Sequence, residues 1–264
     1  MDIMKRFLPK HTWTQAVLLG VLVLLFAPVP TQAQVDSLFD KANIYYKNSD
    51  YEKAANYYKK IMEQGQVSAA LYYNMGNTFF KMNRLAPAIL YYEKAKVLAP
   101  NDEDIQYNLD LANGMVTDKI EPLPQFFLKR WYQNIVRSFH SDTWAFISLL
   151  LFLILLISLA IYLYSARLIW KKGGFWIAVF TILLFTFALT SSITQKNVLE
   201  AKDKAIIFSK SVTIKSSPRD TGTELFVLHE GTKVSLLSED GEWREIKLRD
   251  GSKGWLRAEA IEII

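Results

Sequence analysis

The 264-residue sequence contains no cysteine and only three histidines, His11, His140 and His229. Without a thiol there is no disulfide scaffold, no Cys-ligated zinc or iron–sulfur centre and no thiol nucleophile. The histidines are scattered, one of them in the N-terminal leader described below, so no His pair can hold a metal. G-x-S-x-G, H-E-x-x-H and the phosphate-binding G-x-x-x-x-G-K-[ST] are also missing. The acidic run Asp102-Glu103-Asp104 lacks the glycine and closing glutamate of a calcium loop. It suits a helix N-terminus, where negative charge meets the positive end of the dipole. These absences argue against an enzyme and against a bound cofactor.

Sixteen Phe, thirteen Tyr and seven Trp exclude a disordered chain. Mean hydropathy is slightly positive at +0.08, although 22% of residues are charged, so the apolar excess must sit in blocks. The net charge of +5 can be located too. Residues 36–114 hold nine Lys/Arg against ten Asp/Glu, and residues 204–264 hold ten of each. The surplus flanks apolar runs, at Lys5, Arg6 and Lys10, at Lys129, Arg130 and Arg137, and at Arg167, Lys171 and Lys172. A nucleic-acid binder concentrates basic charge on a folded domain, so no nucleic-acid partner is expected.

The first apolar run, Trp13 to Val29, follows Lys5, Arg6 and Lys10 and ends in Pro28 and Pro30 before Thr31-Gln32-Ala33. This is the pattern of a secretory signal peptide over residues 1–33, cut after Ala33; an uncleaved anchor is the alternative. Either form exports the rest of the chain, and cleavage lowers the charge to +3 by removing Asp2, Lys5, Arg6 and Lys10. Two further runs, placed at 143–164 and 174–194, are free of charge over Trp144–Tyr164 and Phe175–Thr194. Each approaches the roughly 20 residues needed to cross a bilayer. Trp144, Tyr162, Tyr164, Trp170 and Trp176 stand at their ends, as interfacial aromatics do. The link between them carries Arg167, Lys171 and Lys172 and no acid, which places it in the cytoplasm. Residues 36–142 and 195–264 then lie outside. Lys129, Arg130 and Arg137 oppose that orientation, and the signal peptide decides it. The alternative, a helix pair buried in a soluble core, fits poorly with two charge-free spans in a chain of this length.

Residues 36–114 carry an internal repeat. Tyr72-x-x-Met75-Gly76-x-x-Phe79, then Ala88-x-x-x-Tyr92, Ala95 and Pro100, follow the tetratricopeptide pattern. Thirty-four residues earlier stand Leu38, Ala42, Tyr45, Ala54, Tyr58 and Ile61. Small residues let two antiparallel helices approach and aromatics fill the gap between them. Asn48-Ser49-Asp50 and Met82-Asn83-Arg84 supply the turns, and Lys41, at a usually apolar position, marks a degenerate first repeat. A helix after Pro100, capped by Asn101 or Asp102, offers Ile105, Leu109 and Ala112 to cover the open end. The first helix of each repeat lines a groove, with Phe39, Asn43, Tyr46 and Lys47 in one repeat and Tyr73, Asn77, Phe80 and Lys81 in the next. Asn43 and Asn77 could bond a peptide backbone, and Lys47 and Lys81 could meet a carboxylate. Equally, the asparagines could belong to the repeat itself and the lysines to solvent.

Residues 115–142 open with Glu121-Pro122-Leu123-Pro124, which breaks any helix. Phe127, Leu128, Trp131, Ile135 and Phe139 then fall on one helical face, beside Lys129, Arg130 and Arg137. The segment reads as an interfacial helix lying on the membrane, or as one packed against the repeats. In residues 204–264 the period shortens to alternating runs at 205–208, 212–215, 224–228, 233–238, 243–248, 254–256 and 260–263. Ser216-Ser217-Pro218, Glu230-Gly231, Asp240-Gly241 and Asp250-Gly251 separate them, the rhythm of a small all-β barrel. The order Val212 to Pro218, Leu228-x-x-Gly231-x-x-Val234, Trp243-x-x-Ile246 and Asp250-Gly251-x-x-Gly254-Trp255-Leu256 resembles a bacterial SH3-like domain, with Lys215 and Ser217 where Arg and Gly are commoner. Trp243 and Trp255 are its groove candidates, or they close the barrel.

The fold class expected is therefore a multi-domain membrane protein: a helical tetratricopeptide array, two transmembrane helices and a small all-β SH3-like barrel. That order, from signal peptide through repeats, Pro-containing collar and hairpin to an SH3-like domain, resembles the BatE family of the Bacteroides aerotolerance operon. The resemblance implies an inner-membrane scaffold whose two folded domains face the periplasm. It also implies von Willebrand A-type partners, a MoxR-type ATPase and a role in tolerance of oxygen or envelope stress. The alternative is a cell-wall protein that holds peptidoglycan through its SH3-like domain.

Overall fold

The computed structural model describes residues 32–124 and 126–264, so the expected leader, up to residue 31, lies outside the described residues. The described residues divide into two compact units, separated between Gln66 and Val67.

In the first unit, α1 (Gln32–Lys47) and α2 (Tyr51–Glu63) form one helical hairpin. Ala42, Ala54, Tyr58 and Ile61 are buried between them, the small-and-aromatic set expected from the repeat pattern. Ser49 takes a left-handed φ of 61° in the turn, and Asp50 caps α2 by accepting from Lys53 N.

The second unit begins with α3 (Ala69–Lys81) and α4 (Leu85–Leu98). Asn83, 34 residues after Ser49, has φ 56° in the equivalent turn. The fit between the helices is tightest at Gly76, where a Cβ would stand 2.5 Å from the ring of Tyr92. Helix α5 (Glu103–Met115) is capped by Asp102, which accepts from Ile105 N at 3.1 Å, and buries Ile105, Leu109 and Ala112. Helix α6 (Phe127–Arg137) leads into α7 (Ser141–Tyr164) and α8 (Leu168–Glu200).

Helices α7 and α8 are both long and apolar enough to cross a membrane, and both leave most of their apolar residues exposed. The link is shorter than the sequence suggests: three residues, Ser165 to Arg167, so Lys171 and Lys172 lie on the first turns of α8. Small residues make the pairing close. A Cβ on Gly174 would sit 2.8 Å from Ser158 O, and Ser148, Ser158, Thr181, Ala188 and Ser191 are buried, small residues that let two helix backbones come close.

Seven strands follow: β1 (Lys204–Ile207), β2 (Ser211–Lys215), β3 (Glu224–His229), β4 (Lys233–Asp240), β5 (Trp243–Lys247), β6 (Lys253–Arg257) and β7 (Ile261–Ile263). They form one antiparallel sheet of order β3-β2-β6-β5-β4-β1-β7. One face carries the core of Ala205, Ile207, Ile214, Leu228, Val234, Ile246, Leu248 and Leu256. Strand β1 is buried on both faces. Its Ile206 points the other way and joins Ala86, Ile89, Tyr92, Leu109 and Val116 in the core of the second repeat. Phe208 and Ile264 pack against the same cluster, so repeat and sheet share a core.

Candidate binding surfaces

In the first repeat, Tyr58 Oη donates to Asn43 Oδ1 at 2.6 Å, and Phe39 packs edge-on against the Tyr58 ring at 5.7 Å. Tyr46 meets Tyr51 edge-on at 5.4 Å, and Lys47 is exposed at the end of α1. The second repeat reproduces the bond: Tyr92 Oη donates to Asn77 Oδ1 at 2.7 Å. Asn108 of α5 adds two bonds from Nδ2, to Asn77 Oδ1 at 3.0 Å and to Tyr73 Oη at 2.8 Å. Phe80 is half-buried against the repeat core, and Lys81 is exposed. Each asparagine thus spends its side-chain oxygen inside its own repeat, leaving Lys47 and Lys81 as the outward-facing members of the two sets.

Trp243 and Trp255 are half-buried and lie outside the sheet's core cluster. Register pairs Trp243 with Arg257 and Trp255 with Glu245, so both rings lie on the face opposite Ile246 and Leu256. The Arg257 guanidinium stands 5.3 Å from the Trp243 ring centroid and grips Asp220 with two bonds of 2.8 Å. That bond holds the Asp220 carboxyl below the usual carboxylate range. Trp243, Arg257, Asp220, Thr213 and Lys215 line an open cleft; Trp255 lies beside Lys215 on the neighbouring strands.

Sequence reasoning did not locate the contacts that join repeat to sheet. Lys233 of β4 meets Glu93 of α4 at 2.6 Å, with Glu93 almost wholly buried. Burial pushes the Lys233 ammonium down, against the pull of Glu93, and Lys204 and Arg249 repel it further. Asp118 accepts from Thr232 Oγ1 at 2.6 Å and from the backbone N of His229 at 2.7 Å, and stands 2.8 Å from His229 Nδ1. Desolvation raises its carboxyl pKa, but the bonds from Thr232 and His229 outweigh it and the net shift is downward. Gly231, at φ 85°, brings the β3–β4 turn against α4. A Cβ there would lie 3.1 Å from both Ile89 Cδ1 and Val116 Cγ2. The one signal of this junction in the sequence is the run Ala205-Ile206-Ile207, apolar on consecutive positions, as in a strand covered on both sides.

Helix α6 is fastened to the hairpin at its C-terminal end. Trp144 Nε1 donates to Val136 O at 2.9 Å, and Gln195 Nε2 donates to Val136 O at 3.0 Å and Phe139 O at 2.9 Å. Tyr132 packs edge-on against Phe187 at 6.0 Å, and Asn101 after α4 donates to Arg137 O at 3.0 Å. Phe126, Phe127, Leu128 and Trp131 remain exposed.

Residues 69–102 match the tetratricopeptide repeat family, and residues 35–64 match it a second time. The chain is therefore a tetratricopeptide-containing protein, a class built for protein–protein interaction. No curated protein matches the chain.

Proposed function

We propose that this chain is a non-catalytic adaptor, anchored in the inner membrane by the α7–α8 hairpin and holding its repeats and SH3-like sheet in the periplasm. The shared core of the second repeat and the sheet carries the reading, because it joins a protein-binding module to the element that follows the hairpin. The exposed apolar surfaces of α7 and α8 support insertion, since a soluble helix pair would bury them. The leader pattern and the basic hairpin link support the orientation. By its resemblance to BatE proteins, the partners are von Willebrand A-type membrane proteins and the setting is oxygen or envelope stress.

Two experiments separate the layers of this reading. Cysteine introduced at Lys60 or Asp240, both exposed, should react with an impermeant thiol reagent from the periplasmic side, and protection of either would overturn the orientation. A von Willebrand A-type protein cross-linked in membranes should be lost with Lys47→Glu/Lys81→Glu; its retention removes the repeats as the binding surface. The second reading is peptidoglycan attachment, favoured by the position of Trp243 on the outer cleft. Co-sedimentation of the full chain with purified peptidoglycan, abolished by Trp243→Ala, would establish it.

A further inference from the structure

The equal numbers of acids and bases in residues 204–264 conceal a local imbalance. Lys204 on β1 and Lys247 on β5 are the cross-strand partners of Ser235 on β4, one on each side. Lys233 lies two residues away on the same strand and the same face. Like charges brought together across strands repel. This is the face that carries Ile206 into the repeat, so the lysines stand at the edge of an apolar contact.

They open into a cavity of ≈ 480 Å³ between sheet, second repeat and hairpin. Lys96, Arg137 and Arg249 add three more cations to its lining. Among the described residues, the acidic groups lining it are the side chains of Glu93 and Asp110 and the α-carboxylate of Ile264, and Glu93 is already engaged by Lys233 at 2.6 Å. Lys204 also has Asp203 at 3.9 Å on the surface. Gln195 and Val198 of α8 form the wall nearest the membrane, just past the end of the uncharged stretch at Thr194.

We propose that this cavity is an anion site for a phosphate-bearing group. Six cations against three acidic groups leave a positive surplus in the lining, and lysines bind phosphate as point charges from several directions. The position of Gln195 and Val198 makes an anionic lipid headgroup the nearest source, and that source, unlike the cavity itself, rests on the hairpin crossing a bilayer.

The test uses the full chain, delipidated in neutral detergent and titrated with inorganic pyrophosphate, with short-chain phosphatidylglycerol and with phosphatidylcholine of equal chain length. Both phosphate probes should bind, and Lys204→Gln/Lys247→Gln should weaken each by about tenfold. A control pair with the same charge change, Lys210→Gln/Lys253→Gln, lies outside the cavity lining and should leave binding unchanged. Phosphatidylglycerol favoured over both pyrophosphate and phosphatidylcholine identifies lipid as the source. Pyrophosphate alone, with the same variant pattern, keeps the site and makes its ligand soluble, whatever the topology labelling gives. Absence of binding by either phosphate probe, or equal weakening in the control pair, overturns the proposal.

Discussion

The Tyr92 hydroxyl and the Asn77 carboxamide oxygen, 2.7 Å apart, tie the second helix of a repeat to the first, and Tyr58 and Asn43 repeat the tie at 2.6 Å. The asparagines offered as ligand contacts therefore also tie the two helices of each repeat together through their side-chain oxygens. Tyr92→Phe should cost about 1 kcal/mol of stability, since a net hydrogen bond contributes about that much. Asn77→Ala should cost more, because it also removes one of the two acceptors of Asn108 Nδ2, leaving it Tyr73 Oη alone. Chemical denaturation of the single and double variants would check this, with coupling of about 0.5 kcal/mol or more expected between them. Additive effects would mean that the bond carries no stability.

Glu93 and Lys233 give a second prediction. Glu93 is buried and Lys233 half-buried, and removing the lysine leaves the buried carboxylate without its partner, a change that costs up to about 3–5 kcal/mol where both members are buried. Lys233→Met should therefore destabilise strongly, whereas Lys233→Met with Glu93→Leu should recover most of the loss. Because the pair joins α4 to β4, limited proteolysis of the single variant should release the sheet from the repeat before either part is digested. Digestion at wild-type rates would show that the junction does not depend on the pair.

That junction also marks where sequence reading stopped. Periods of 34 and of two residues are local, so the repeats and all seven strands are legible, along with the turn at Asp50 and the cap narrowed to Asn101 or Asp102. A core shared by Ile206 and Ile89 has no period, because it depends on how distant elements pack. Glu93 reads as an ordinary helix-surface acid until Lys233, far along the chain, covers it. Spacing puts Asn43 and Asn77 on the first helix of each repeat, but it does not show that their oxygens accept from Tyr58 and Tyr92 of the same repeat.

Asp118 predicts an acid-sensitive linker. Its carboxyl pKa lies below the usual carboxylate value because the bonds from Thr232 and His229 outweigh desolvation. A carboxyl with a lowered folded-state pKa adds stability that is fully present above the unfolded value, near 3.8. That stability disappears as pH falls through the lower folded value. Asp118→Asn should therefore lower stability at neutral pH and lose less on acidification than wild type. Thermal melts between pH 7 and pH 3 would check it, and curves parallel across that range would rule out Asp118 as the titrating group.

The exposed side of α6 predicts how the collar meets its surroundings. Tyr132 and Val136 face the hairpin, while Phe127, Leu128 and Trp131 stay exposed beside Lys129 and Arg130. If the hairpin spans a bilayer, as proposed above, an amphipathic helix of this composition fixed at one end to it is expected to lie in the headgroup layer, with its apolar side down and its cations toward anionic lipid. The chain has no cysteine, so single-cysteine variants can be spin-labelled without background. In phosphatidylglycerol-containing vesicles, labels at Phe127 and Trp131 should be relaxed by oxygen, and labels at Arg130 and Gln133 by a water-soluble nickel complex. A label at Phe152, exposed on α7, reports separately whether the hairpin is inserted. If Phe152 reads lipid while Trp131 reads water like Arg130, the hairpin spans but the collar does not rest on the bilayer, and its aromatic side is left for a protein partner.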